Sequence, residues 1–247
     1  ELWTSPNTFV ASANCALYCG AQVDFVDIDP KTYNLCPDKL EHRLVEAKRL
    51  GKLPKVIVAV HLCGQSCDMK RIYKLSKIYG FKIIEDASHA IGGRYLDSKI
   101  GCCRYSDITI FSFHPVKIIT TAEGGMALTN NKYLQERMML FRTHGITRDE
   151  NLMHKVPDGG WYYEQIELGY NYRMTDLQAA LGISQMNRVD EFVSSRHKQA
   201  QRYNERLKDL PIILPFQANT CYSSFHLYVI RLNLDLIEKS HKQVFEE

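Results

Sequence analysis

Short apolar runs alternate with helical segments along the first half of the chain, and this alternation limits the possible folds more than any other feature. Residues 55–60 form a run of β-branched and apolar residues directly after Pro54, which is the composition of a strand buried on both faces. A helix is predicted after the N-cap residue Asp68, and it should end at Gly80, before a strand at residues 81–85. This order predicts the α/β class, with a mainly parallel central sheet flanked by helices.

The same patterns predict further elements on both sides of this unit. Before it we expect a helix over residues 8–19, a strand over 22–26 and a helix over 38–50. After it we expect strands over residues 107–112 and 125–129, followed by a helix over 132–144.

The second half of the chain has a different pattern. Residues 145–169 have tandem glycines and no stable period, so they are predicted to form a long loop, which is often functional. Thr175 and Gln178 have the spacing of a capping box, which predicts a long helix that reaches toward residue 210. A last strand is expected at residues 227–232.

Composition and charge exclude several classes of partner. The chain has 31 Lys and Arg against 28 Asp and Glu, a net charge of +3, and no basic run, so nucleic acid is not an expected partner. No apolar stretch approaches the ~20 residues that a membrane span needs. The eight cysteines form no CxxC pair, so we expect structural thiols in a reducing cytoplasm rather than a metal site near His61, Cys63 and Cys67.

Polar residues with chemical potential follow two of the predicted strands. Asp86 and His89 come after the strand at residues 81–85, and Ser112 and Lys117 come at the end of the strand at 107–112. Ligands of open α/β sheets bind beyond the carboxyl ends of the strands. A desolvated lysine beside a carboxylate indicates amine chemistry toward a carbonyl. Each residue alone could instead be a solvated lysine, a helix cap, a backbone partner or a core histidine.

Four motifs in one order carry a resemblance to a known family. They are Ile-Glu-Asp-Ala-Ser-His-Ala at residues 84–90, Phe-Ser-Phe-His-Pro-Val-Lys at 111–117, the Thr- and Gly-rich stretch 120–125, and Gly-Tyr-Asn-Tyr-Arg-Met-Thr-Asp-Leu-Gln-Ala-Ala at 169–180. Together they resemble the DegT-type sugar-nucleotide aminotransferases, which are fold-type-I enzymes that use pyridoxal phosphate. The resemblance implies that fold and that cofactor.

The resemblance also implies roles for five residues around the cofactor. Lys117 matches the lysine that bonds to the cofactor's aldehyde and later moves protons, and Asp86 matches the partner of the pyridine nitrogen. His89 matches a residue beside the ring, Phe9 an aromatic side chain that stacks on the ring, and Ser112 a phosphate ligand. Family members that act as dehydratases have histidine at the lysine position, so Lys117 favours transamination.

Asn171 matches a phosphate ligand that the neighbouring subunit supplies, which implies a homodimer with a shared active site. Two stretches, residues 161–165 and 223–232, most resemble family members of pseudaminic acid biosynthesis. The implied reaction moves an amino group from L-glutamate to C4 of a UDP-linked 4-keto-6-deoxy N-acetyl sugar.

The resemblance also suggests how the chain is divided. Residues 1–196 are expected to form most of a large cofactor-binding domain, and residues 197–247 the start of a small α+β domain. The family's phosphate-binding Gly-Thr-Ala turn lies upstream of the first motif found here, so the sequence is expected to be a fragment.

Two other functions stay open at this point. One is a different fold-type-I reaction of pyridoxal phosphate, such as that of a lyase, racemase or desulfurase. The other is a non-catalytic sugar-nucleotide-binding homologue, although a binding role alone would need neither Lys117 nor Asp86.

Overall fold

The computed structural model describes residues 1–247. The helices are α1 (Ala11–Tyr18), α2 (Pro37–Arg49), α3 (Met69–Tyr79), α4 (Lys132–Arg142), α5 (Asp176–Met186), α6 (Val189–Leu207) and α7 (His241–Glu246). The strands are β1 (Leu2–Thr4), β2 (Val23–Phe25), β3 (Val56–Val60), β4 (Lys82–Asp86), β5 (Arg94–Tyr95), β6 (Ser98–Lys99), β7 (Ile108–Ser112), β8 (Gly125–Leu128), β9 (Ile146–Thr147), β10 (Glu164–Gln165), β11 (Ile212–Ile213), β12 (Cys221–Tyr222) and β13 (Arg231–Leu232).

A six-stranded sheet with the order β2-β1-β3-β4-β7-β8 forms the centre of the fold. All neighbours pair in parallel except β7 and β8, which are antiparallel. The predicted α/β class with a mainly parallel sheet is therefore confirmed. The sequence patterns missed β1, a buried three-residue strand that is too short to show a period.

The helix predicted between Asp68 and Gly80 begins and ends at the expected residues. The Asp68 carboxylate accepts a hydrogen bond from the Arg71 backbone N–H, and Gly80 adopts the left-handed conformation with φ 81°. Its inner face buries Met69 and Ile72 against the sheet. Burial of each such side chain contributes about 1.5–3 kcal/mol. Leu40 and Leu44 of α2 belong to the same core cluster, so the two helices cover one face of the sheet.

The long helix predicted from Thr175 toward residue 210 is wrong in one respect, because it is broken into α5 and α6. The capping box at Thr175 is present. Val189 and Val193 of α6 are buried, and Val193 packs closely on Gly92. In contrast, α5 directs Gln185 toward the backbone of Thr120. The backbone leaves the helical conformation at Arg188, which has φ −112° and ψ 6°, so the chain turns between the two helices.

The strand predicted at residues 227–232 is reduced to β13, which pairs with β11. Upstream of β13 the backbone has other partners. The Arg196 guanidinium donates to the carbonyl groups of Phe225 and His226, and the Leu227 N–H donates to the Cys63 carbonyl. Because side-chain and loop contacts satisfy these groups, no strand ladder forms there.

Residues 145–169 are more ordered than a simple loop. They contain the antiparallel pair β9 and β10, and the Glu164 carboxylate accepts hydrogen bonds from the backbone of His154 and Lys155 and from the Tyr162 hydroxyl. Above all, the bond from the His154 N–H lowers the pKa of Glu164 to about 2. One carboxylate organises the segment, and such a contact leaves no periodic pattern in the sequence.

The C-terminal part contains the pair β11 and β13 and the helix α7, while β12 joins β5 and β6 in a small antiparallel sheet. Residue 196, the predicted domain boundary, lies within α6, and the division of the chain stays a prediction. None of the helices combines the length and the apolar character that a membrane span requires.

Candidate functional site

The carboxyl ends of β4 and β7 lie side by side at one edge of the sheet, since Asp86 pairs in register with Ile110. There they border a pocket of about 480 Å³, within the range of roughly 300–1,000 Å³ typical of small-ligand sites. Its wall includes five of the predicted site residues: Phe9, Asp86, His89, Ser112 and Lys117. Parallel strand order explains why residues from distant motifs meet here.

A larger and more open groove of about 610 Å³ lies beside α2. Two of its basic side chains are already paired, Lys39 with Asp27 and Arg43 with Asp24. The bond to Asp27 raises the pKa of Lys39, which disfavours an uncharged amine in this groove, so the pocket at the ends of β4 and β7 is the better candidate site.

Asp86 is held by hydroxyl groups on both sides of its carboxylate. The Ser12 hydroxyl of α1 donates to Oδ2 at 2.5 Å, and the Ser88 hydroxyl and N–H donate to Oδ1 at 2.6 and 3.1 Å. Hydrogen bonds to a carboxylate are the strong ones in proteins, so the side chain has a fixed orientation. Sequence patterns gave no signal for Ser12, whose contact depends on how α1 packs on the sheet.

His89 forms part of the pocket wall as an uncharged ring. The Cys63 N–H donates to its Nδ1 at 3.3 Å, so the ring proton lies on Nε2. Burial, helped by the charge of Lys117, lowers the pKa of His89 to about 4. On its outer side His226 packs against it, with ring centroids 4.4 Å apart, and the Ser224 hydroxyl donates to the His89 carbonyl at 2.8 Å. The ring therefore has little freedom to turn.

Lys117 follows β7 in a turn in which its N–H donates to the His114 carbonyl at 2.9 Å. Burial of the amine lowers its pKa below the ordinary lysine value, and the negative charge of Asp86 opposes this shift. A lysine whose pKa is lowered has more of the uncharged amine that attacks carbonyl carbon. This nucleophile and the Asp86 carboxylate border the same pocket.

The other three predicted residues differ in their surroundings. Ser112 ends β7 on the pocket wall, and its hydroxyl accepts a long hydrogen bond from the His114 N–H at 3.4 Å. Phe9 borders the pocket but is 74% exposed. Asn171 is exposed, does not line the pocket and forms an isolated backbone bridge with Thr143. The roles given to these residues stay predictions.

A buried polar network lies next to Asp86 on the other face of β4, and the sequence analysis missed it. His61 Nε2 and a Glu85 carboxylate oxygen are 2.7 Å apart, and both side chains are buried. The Cys67 N–H donates to His61 Nδ1, so His61 donates from Nε2. Burial acts to raise the pKa of Glu85, but the bonds from His61, Ser106 and Thr109 hold it below its ordinary value. The sequence gives one signal for this network: His61 directly follows the apolar strand β3, and Glu85 lies near the end of its neighbour β4.

The side chains around the pocket fit pyridoxal phosphate, the cofactor implied by the motifs. Lys117 offers an amine to the aldehyde of the cofactor. Asp86 offers a carboxylate that Ser12 and Ser88 hold in place and that can still accept a hydrogen bond from a protonated ring nitrogen. His89 offers an uncharged ring surface, and Ser112 offers a hydroxyl to the phosphate. Together these side chains suit a ligand that has an aromatic ring, an aldehyde and a negatively charged phosphate.

Comparisons with known proteins agree with this arrangement. The sequence profile of the DegT/DnrJ/EryC1/StrS aminotransferase family matches residues 1–246. UDP-4-amino-4,6-dideoxy-N-acetyl-beta-L-altrosamine transaminase of Campylobacter jejuni is 39% identical over 231 residues, covering 93% of this chain and 57% of the relative. GDP-perosamine synthase of Caulobacter vibrioides is 39% identical over 227 residues, covering 91% of this chain and 56% of the relative.

A solved structure is also similar. Helicobacter pylori PseC, an aminotransferase involved in the biosynthesis of pseudoaminic acid, has a TM-score of 0.81 at 33% identity, covering 94% of this chain and 58% of that one. The chain thus spans less than two thirds of the length of each of these three proteins.

Proposed function

The chain belongs to the DegT/DnrJ/EryC1/StrS aminotransferase family, and from this premise we propose that it forms the cofactor-binding part of a sugar-nucleotide aminotransferase that uses pyridoxal phosphate. In this proposal residues 1–196 form most of the large domain and residues 197–247 the start of a small one. The observation that carries the proposal is the lysine with a lowered pKa beside a fixed carboxylate, Lys117 and Asp86, on one pocket wall.

Each of these side chains has a defined task in the proposed reaction. When bound, pyridoxal phosphate supplies an electron sink that stabilises negative charge on the carbon next to the amino nitrogen. The Asp86 carboxylate holds the proton on the pyridine nitrogen, which keeps the ring electron-withdrawing. Lys117 moves a proton with its amine at Nζ, and the lowered pKa suits it to take one up and release it. His89 supports the ring from one side without adding charge.

We propose L-glutamate as the amino donor and a UDP-linked 4-keto-6-deoxy N-acetyl sugar as the acceptor. The UDP-linked N-acetyl sugar is supported by the name of the Campylobacter relative, while the equally identical Caulobacter relative is named for a GDP sugar. A comparison of a UDP-linked with a GDP-linked sugar is therefore the sharpest test of the proposed acceptor. The choice of L-glutamate rests on the resemblance of the sequence motifs alone.

The test supplies the full-length protein with pyridoxal phosphate and L-glutamate, and measures 2-oxoglutarate with a UDP-linked or a GDP-linked keto sugar. We expect 2-oxoglutarate in catalytic amounts only with the UDP sugar. Turnover with the GDP sugar alone would overturn the nucleotide assignment. Release of 2-oxoglutarate at the same rate with and without a sugar nucleotide would indicate a different reaction of the cofactor. Binding of a sugar nucleotide without turnover would indicate a non-catalytic homologue.

We also propose that the protein works as a homodimer in which Asn171 reaches the phosphate in the neighbouring subunit. The support is that Asn171 does not line the pocket of its own chain and has exposed apolar neighbours: Leu168 is 83% and Tyr172 is 72% exposed. Apolar surface of this kind marks an interaction site.

Mixed dimers test this arrangement. Dimers of the Lys117→Ala variant and dimers of the Asn171→Ala variant should each be inactive or nearly so. A mixed dimer has one pocket with both residues intact if Asn171 acts across the interface, so refolding the two variants together should restore about a quarter of wild-type activity. No recovery in verified mixed dimers would mean that Asn171 acts within its own subunit.

A further inference from the structure

One face of α5 lies against the turn that follows Lys117. Gln178, Gly182 and Gln185 are spaced four and three residues apart, so they share one side of the helix. The turn comprises residues 118–125, from the residue after Lys117 to the first residue of β8. No sequence motif connected this helix face to the lysine.

The helix contacts both ends of this turn through side-chain amides. Gln185 Oε1 accepts a hydrogen bond from the Thr120 N–H at 2.9 Å, and Gln178 Nε2 donates to the Glu123 carbonyl at 3.0 Å. Between them Gly182 lies directly against Thr121, because an added Cβ would stand 2.8 Å from the Thr121 methyl group. The two amides bracket the turn and the glycine allows the close approach.

The turn depends on such anchors because its own conformation is unfavourable. Ala122 has a φ of 66°, a left-handed conformation that costs a residue with a Cβ about 1 kcal/mol or more. Inside the turn, the Thr120 hydroxyl donates to the Phe113 carbonyl at 2.9 Å, and Thr121 is buried. The turn is thus a strained segment that α5 and its own hydrogen bonds hold in place. It begins at Ile118, directly after Lys117.

We propose that α5 is a positioning element for the amine of Lys117, with Gln178 and Gln185 as positioning residues. By fixing the turn, they keep the lysine partly buried on the wall of the pocket. This inference rests on the proposed function for the role of Lys117, but the contacts themselves can be tested without the cofactor.

The same change should have a large effect at Gln178 and little effect at Gln185. Gln178→Glu keeps an oxygen that accepts from the Thr175 N–H, as Gln178 does at 2.9 Å, so the helix cap survives. It removes one of the two donors to the Glu123 carbonyl, the other being the Thr121 hydroxyl at 2.8 Å, and it puts a carboxylate against that carbonyl. Gln185→Glu keeps the oxygen that accepts from Thr120. Both variants add one negative charge to the same helix, so each controls for the charge of the other.

The measurements are amide exchange over residues 118–125 and the pH dependence of amine labelling at Lys117, in the full-length protein without cofactor. For Gln178→Glu we expect about tenfold faster exchange and labelling that shifts to higher pH, toward the profile of the exposed Lys132. For Gln185→Glu we expect exchange within about twofold of wild type, whereas Gln185→Leu, which lacks the acceptor, should exchange about tenfold faster.

A purely structural role of Gln178 predicts something else. A glutamate at the third position of a helix supports the cap and the helix dipole, so exchange in Gln178→Glu would stay equal or become slower. That result, or equal behaviour of the two glutamate variants, would overturn the proposal. If the cofactor proves to bond to another residue, the proposed function fails, while the exchange data still decide whether α5 holds the turn.

Discussion

Replacing Lys117 by alanine should lower turnover by at least about a thousandfold, because residues that take part directly in bond making contribute effects of this size. Lys117→Arg should be equally inactive, since arginine keeps the charge but does not release its proton in proteins. Initial rates of 2-oxoglutarate formation, with both substrates saturating, measure the effect. Circular dichroism of each variant checks that the fold is retained.

Lys132→Ala is the matched control for this result. Lys132 is an exposed lysine on α4 that pairs only with Glu136 four residues later, so its loss should leave the rate unchanged. Because burial lowers the pKa of Lys117, amine labelling of the wild-type protein should also reach Lys117 at lower pH than Lys132. A Lys117→Ala variant with more than a tenth of the wild-type rate would contradict the role given to this residue.

Replacing His61 by leucine should lower the free energy of unfolding by about 3 kcal/mol or more. His61 and Glu85 are both buried and lie 2.7 Å apart, so the variant leaves a buried carboxylate without its main donor. Urea denaturation of the full-length protein measures the change. In the wild-type protein the bond from His61 helps to hold the pKa of Glu85 below its ordinary value. The variant should raise that pKa, so the stability difference from wild type should become smaller as pH falls toward the range in which Glu85 is protonated.

A double replacement separates the pair from either residue alone. His61→Leu combined with Glu85→Met removes the carboxylate that lost its donor and should recover at least about 1 kcal/mol of the loss, because no buried charge is left without a partner. His42→Leu, at an exposed histidine on α2, should change stability by less than about 0.5 kcal/mol. Strict additivity of the two single changes would show that His61 and Glu85 are not coupled.

The sequence was sufficient to predict the part of the site that depends on strand order. Asp86 and Lys117 follow different strands, and the parallel pairing of β4 with β7 alone brings them to one edge. Apolar runs and helix caps are local patterns, so they were visible without a structure. The meeting of Asp86, His89 and Lys117 follows from those patterns and from the topology of open sheets.

Contacts that depend on how elements pack could not be predicted in this way. Ser12 meets Asp86 only because α1 lies across the end of β4, and no spacing of residues encodes that angle. The break between α5 and α6 lies at Arg188, and no local pattern predicts it, because residues 186–189 include neither glycine nor proline. Glu164 orders residues 145–169 through single hydrogen bonds, which hydrophobic periodicity cannot reveal.

Reductive trapping shows which amine of the protein bonds to pyridoxal phosphate. The full-length protein is incubated with the cofactor and reduced with borohydride, which fixes the cofactor to whichever amine it has bonded, and the labelled peptide is then sequenced by mass spectrometry. We propose that Lys117 is this amine, and we therefore expect one phosphopyridoxyl group per chain, on Lys117. A label on another lysine, or none on Lys117, would contradict it.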